Sequence, residues 1–198
     1  MNASTRISMR VGRGRIRSMA VAVVLGIALG AVPTASQMIP ELEPFAPLLD
    51  HTWKAVFDSE TGAGDVVRWE PALAGQAIQI THSIADGDYG GVTYVMWDAE
   101  AEALAYTYFT TAGFFTRGTM WFDDDGSLQS QEFVTGTADG VTEVRATQEL
   151  REDGSLRVVT RLLRDGTWED AGDVIYRPAP GAEIILPRTG GTGGGPLR

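Results

Sequence analysis

Five Asp-Gly dipeptides constrain this chain more than any other feature. They are Asp86-Gly87, Asp125-Gly126, Asp139-Gly140, Asp153-Gly154 and Asp165-Gly166, and the last four lie 14, 14 and 12 residues apart. Asp-Gly suits the two-residue hairpin turn, because both central positions need positive φ. Short runs rich in apolar and β-branched residues separate them, and no long run of helical period intervenes. Strands joined by tight turns at such spacing fold as an antiparallel sandwich or barrel.

The pattern predicts ten strands, over 51–58, 65–70, 76–84, 91–98, 103–110, 114–122, 127–136, 141–150, 155–163 and 170–177. Alternation assigns faces. Trp53, Ala55 and Phe57 share one face of the first strand, and Val67 and Trp69 share one of the second. Ile78, Ile80, His82 and Ile84 share a face of the third; Leu156, Val158, Thr160 and Leu162 do so in the ninth. A next-neighbour sheet of this size keeps two open edges unless it closes. The expected fold is therefore all-β: one up-and-down antiparallel barrel, with room inside for side chains or one small ligand. A short helix is expected near 41–49, where Leu42, Phe45 and Leu49 recur at helical spacing and Pro44 and Pro47 limit it.

The ends of the chain differ from its middle. Arg6, Arg10, Arg13, Arg15 and Arg17 precede an apolar run over 19–32, then Pro33-Thr-Ala-Ser36, with no acid in the first 36 residues. That is the layout of a Sec-type export signal, expected to be cut near Ser36–Gln37. Fourteen residues make about 21 Å of helix at 1.5 Å each, short of a hydrocarbon core of about 30 Å, so no stable membrane span is expected after cleavage. The expected organisation is a signal over 1–36, a helical plug or linker over 37–50, the barrel over 51–178, and a Gly-rich disordered tail over 179–198. The expected location is periplasmic or secreted.

Charge follows the same division. The whole chain has a net charge of −10; beyond residue 36 there are 11 cations against 26 acids, a net of −15. That balance argues against nucleic acid as a partner. There is no cysteine, so disulfides, thiolate nucleophiles and thiolate metal sites are excluded. Carboxylates show no metal-binding or glycosidase pattern, and Asp123-Asp-Asp-Gly126 reads as a turn. No Gly-x-Ser-x-Gly elbow occurs.

The segment Phe45-Ala-Pro-Leu-Leu-Asp-His-Thr-Trp53-Lys resembles the first strand of calycin-like small barrels. In lipocalin-like and nitrobindin-like domains of bacterial exported proteins, a Leu-Leu-Gly-x-Trp-x-Gly segment follows a short helix and closes the barrel end. Val95-Met-Trp-Asp98, Tyr108-Phe-Thr-Thr-Ala-Gly-Phe114 and Thr119-Met-Trp-Phe122 resemble that group as well. Asp50-His51 and Ala55 stand where the glycines are usual. The resemblance implies a calycin-like fold across residues 42–178. A nitrobindin-like haem would take a histidine from the C-terminal part of the barrel; none follows His82, and nothing selects Tyr176 as a substitute ligand. No cofactor is expected.

His82 is the most informative single residue. Alternation sets it on the buried face, where an imidazole must find partners or line a wet cavity. Tyr94, Tyr106 and Tyr108 lie on the two following strands and are candidates for ligand contact, as is Trp53. Glu143 and Arg145 share a face of the eighth strand opposite Val144. They read as a surface pair or, turned inward, as an ion pair able to hold a polar ligand. The leading expectation is a binding module for a small, largely apolar or amphipathic ligand, anchored by His82 and Tyr106. Alternatives are a hydrolase or isomerase with His82 as general base, and an envelope structural or interaction protein. The sequence does not distinguish oligomeric states.

Overall fold

The computed structural model describes residues 38–57, 60, 63–84, 87–135 and 140–187. The expected signal over 1–36, and the tail from 188 onward, lie outside the described residues.

Ten strands form one closed barrel. They are β1 His51–Val56, β2 Gly64–Ala72, β3 Ala77–Ile84, β4 Tyr89–Asp98, β5 Ala103–Thr110, β6 Phe115–Phe122, β7 Leu128–Phe133, β8 Val141–Leu150, β9 Leu156–Arg164 and β10 Thr167–Pro178. Every strand pairs antiparallel with its neighbours in sequence, and β1 pairs with β10 to close the ring. The seam is short, with only Trp53 opposite Pro178 and Lys54 opposite Arg177 in register. The closed ten-stranded antiparallel ring is consistent with a calycin-like fold.

Asp86 and Asp139 lie outside the described residues, and the other three Asp-Gly turns are of two kinds. Asp165 and Gly166 both have positive φ, 48° and 79°, and link β9 to β10 as a two-residue turn. Asp125-Gly126 and Asp153-Gly154 sit in three-residue loops in which only the glycine has positive φ. There Asp123 N–H donates to Ser127 O at 2.9 Å, and Arg151 N–H to Ser155 O at 2.8 Å. Each aspartate carboxylate instead accepts the N–H two residues on, from Ser127 and Ser155, so the side chain does locally what a second αL residue would otherwise do.

Residues Pro40–Leu48 form a 3-10 helix that plugs one end of the barrel. Pro44 and Pro47 lack the N–H that a regular α-helix would need, and the bonds that form span three residues: Leu42 N–H to Ile39 O and Leu49 N–H to Ala46 O. Leu42 and Phe45 are fully buried. The Phe45 ring lies 5.1 Å from Phe122, edge-on, and 6.0 Å from Trp69. Leu42, Phe45, Leu48 and Leu49 join Trp53, Trp69, Ile78, Val95 and Leu104 in one core. The core therefore sits toward the plugged end, and the opposite end is where the interior turns polar.

After β10 the chain turns back across the outer wall. Ala179 N–H donates to Thr52 O and Ile185 N–H to Ser83 Oγ, and Leu186 packs against Gly90. Among the described residues no helix is long and apolar enough to cross a membrane.

Candidate functional site

Directly paired residues of an antiparallel sheet point to the same side. Val67 is opposite His82, which is opposite Gly91. Trp69, Ile80, Thr93 and Tyr108 form the next inward row, and Ile78, Val95, Tyr106, Gly118 and Glu132 the one after. These rows turn polar groups inward. They line a cavity of about 280 Å³, whose polar wall includes Asp65, His82, Tyr106, Tyr108, Glu132 and Tyr176. The apolar wall includes Trp69, Ile80, Met120 and Leu156. The volume falls near the lower end of small-molecule sites, about 300 Å³.

A hydrogen-bonded chain crosses the cavity. His82 Nδ1 lies 3.1 Å from Asp65 Oδ1, and His82 Nε2 lies 2.7 Å from the Tyr108 hydroxyl. The Tyr108 and Tyr89 hydroxyls are 2.9 Å apart. Tyr176 donates its hydroxyl to Asp65 Oδ2 at 2.9 Å. Two proton arrangements satisfy this chain. In one, Nδ1–H donates to Asp65 and Tyr108 donates to Nε2. In the other, both imidazole nitrogens donate and Tyr108 donates onward to Tyr89. The imidazole side chain keeps 20% of its surface exposed, so solvent reaches this chain.

Two glycines make room for it. Tyr108 reaches His82 across Gly91, where a Cβ would strike the Tyr108 ring and the Phe109 carbonyl. Tyr106 reaches Glu132 across Gly118, where a Cβ would strike the Tyr106 ring and the Gln131 carbonyl. The Tyr106 hydroxyl donates to Glu132 Oε2 at 3.2 Å. Glycine inside a strand commonly marks such a close approach.

Burial dominates the electrostatics. It raises the Glu132 carboxyl above its ordinary value, and the Thr116 and Tyr106 hydroxyls and the His82 ring oppose that shift only in part. Burial also pushes the Tyr106, Tyr108 and Tyr176 hydroxyls far up, so they serve as neutral donors and acceptors. Among the described residues, no lysine or arginine lines the cavity.

The candidates from the sequence separate in space. His82, Tyr106 and Tyr108 meet in the cavity. Trp53 is buried in the core at the plugged end, edge-on to His51 at 5.6 Å. Tyr94 lies on the outer face of β4, opposite in sense to buried Val95, and donates to Gln79 Oε1. Glu143 accepts from Gln131 and from Arg145 at 2.7 Å, and the Arg145 side chain is 56% exposed, over the Trp168 ring. The sequence reading did not single out Asp65, Tyr89 or Glu132 as site residues. For Asp65 the signal was present: it alternates with Val67 and Trp69, whose common face had been assigned.

Among the described residues, no three His, Asp or Glu side chains converge to hold a metal ion. The arrangement instead offers an imidazole held by a carboxylate and a phenol, a second carboxylate beside a phenol, and aromatic walls. Comparison of the chain with protein-family models gave no match, and comparison with curated proteins gave none either.

Proposed function

We propose that this chain is an exported calycin-like barrel, of the lipocalin-like and nitrobindin-like kind, that binds a small, largely apolar or amphipathic ligand in its interior. One observation carries the reading: the Asp65–His82–Tyr108 chain stands in a cavity of about 280 Å³ instead of being packed over by apolar side chains. A purely structural polar cluster gains nothing from adjoining empty volume, whereas a ligand site needs both a void and a few fixed polar groups. The basic start and short apolar run support export.

Native mass spectrometry of the protein purified from its natural host tests this. The expected result is a bound small molecule that is lost in a Tyr106→Phe, His82→Gln double variant. An empty barrel that also takes up nothing from a panel of small lipids, terpenoids and aromatic compounds would contradict it.

A second reading has a specific observation in its favour. Asp65 orients the His82 ring and leaves Nε2 facing a phenol, an arrangement able to pass a proton. A hydrolase or isomerase using His82 as general base would lose turnover in His82→Gln while retaining ligand affinity. Loss of affinity without any turnover to lose identifies the binding module instead.

A further inference from the structure

We propose that the ligand carries a positively charged nitrogen, so that this barrel takes a small organic cation, an ammonium head on an aromatic body, and rejects carboxylates of the same size. The inference rests on the ligand-binding reading above and specifies the chemistry of its ligand. Its basis is the composition of the cavity wall. Among the described residues, two carboxylates, Asp65 and Glu132, line the cavity, and His82 is the one lining side chain able to carry positive charge. The imidazole already faces Asp65 at 3.1 Å, so at most one of the two carboxylates has a cationic partner. The donors that face the Glu132 carboxylate, the hydroxyls of Tyr106 and Thr116, are neutral. A buried carboxylate without a cation is costly, and a bound ammonium would remove that cost. The raised proton affinity of Glu132 agrees with this. An incoming carboxylate would instead be a third acid in a space with two.

The walls suit the same ligand. Trp69, Tyr106, Tyr108 and Tyr176 present aromatic rings to the cavity, and such rings attract a desolvated cation.

Calorimetric titration with tyramine, tyrosol and para-hydroxyphenylacetate tests the inference. The three share a phenol body and differ in an ammonium, hydroxyl or carboxylate head. Tyramine should bind about ten-fold tighter than tyrosol, with the acid weakest. Glu132→Gln should abolish the advantage of tyramine and leave tyrosol affinity in place, with a thermal melt checking that the variant is folded. The comparison on the unaltered protein decides even if that variant fails to fold. Tyramine binding no tighter than tyrosol, or the acid binding as well as the amine, overturns the cation inference and leaves the ligand-binding reading standing. No binding by any of the three overturns the cation inference and counts against the ligand-binding reading as well.

Discussion

His82 Nε2 and the Tyr108 hydroxyl meet at 2.7 Å across a glycine, Gly91, that sits between them on the intervening strand. The same device recurs two strands on, where Tyr106 reaches Glu132 across Gly118. Each contact joins side chains two strands apart and depends on the missing Cβ of the strand between. The site is thus built by the register of the sheet, not by its loops, and it should behave as a preformed and stiff arrangement.

Breaking the chain should cost stability. In His82→Ala, Asp65 loses one partner and the Tyr108 hydroxyl another, inside the barrel. A buried polar group left unsatisfied costs about 1–3 kcal/mol. Urea denaturation should show a lower midpoint with an unchanged slope. A midpoint equal to that of the unaltered protein would mean that the chain contributes nothing to the fold.

Gly118→Ala should displace Tyr106. The new methyl would collide with the ring and with the Gln131 carbonyl, so either the ring or the β6–β7 ladder must shift. Overpacking of this kind typically costs about 1–3 kcal/mol. Ligand affinity should fall along with stability. The second alteration Tyr106→Ala should restore part of the stability and none of the affinity. Thermal melts and ligand titration of the single and double variants check both halves.

Glu132 sets a pH dependence of known sign. Its folded value is raised above the ordinary 4.5, so in the window just above that value the folded state holds more protons than the unfolded chain. Stability from this group is complete at lower pH and declines as pH rises through the raised folded value. His82, Tyr106 and Tyr108 face the same space. Glu132→Gln should flatten the decline and leave the variant at least as stable as the unaltered protein at neutral pH. Denaturation midpoints measured from acidic to neutral pH give the slope directly.

Phe45 is the largest side chain that the plug buries in the core. Phe45 is fully buried and touches both Trp69 and Phe122. Phe45→Ala should lose about 3–5 kcal/mol, as large-to-small changes of buried aromatics do. Near-ultraviolet circular dichroism should lose intensity as Trp69 is freed. Asp125→Ala, on an exposed turn, serves as a mild control.

Much of the fold was legible because closure follows from local pattern. Asp-Gly spacing, period-two faces and the absence of a helical period specify a meander, and a meander of ten strands closes. Half of the site was legible for the same reason: His82 lies among Ile78, Ile80 and Ile84 on an inward face. Tyr94 shows where the pattern runs out. Along β4 apolar residues occupy both faces, with Val92, Tyr94 and Met96 against Val95 and Trp97, so alternation alone does not orient the strand. Only the register with β3 does, opposing Tyr94 to Gln79. Glu132 was hidden differently. Its strand reads Leu-Gln-Ser-Gln-Glu-Phe, and a glutamate there looks solvated until Gly118 is known to lie beside it. The in-strand glycines 91 and 118 were the unused clue.

The chain has two histidines, and they stand in opposite surroundings. His51 is exposed at the plugged end, and His82 lines the cavity. Long-range proton–nitrogen NMR spectra of the two imidazoles, recorded while a small amphipathic ligand is titrated in, therefore carry their own control. The His82 ring resonances should shift in saturable fashion while those of His51 stay fixed. If the His82 resonances stay fixed while the ligand binds, or if both rings shift together, the cavity is not where the ligand goes.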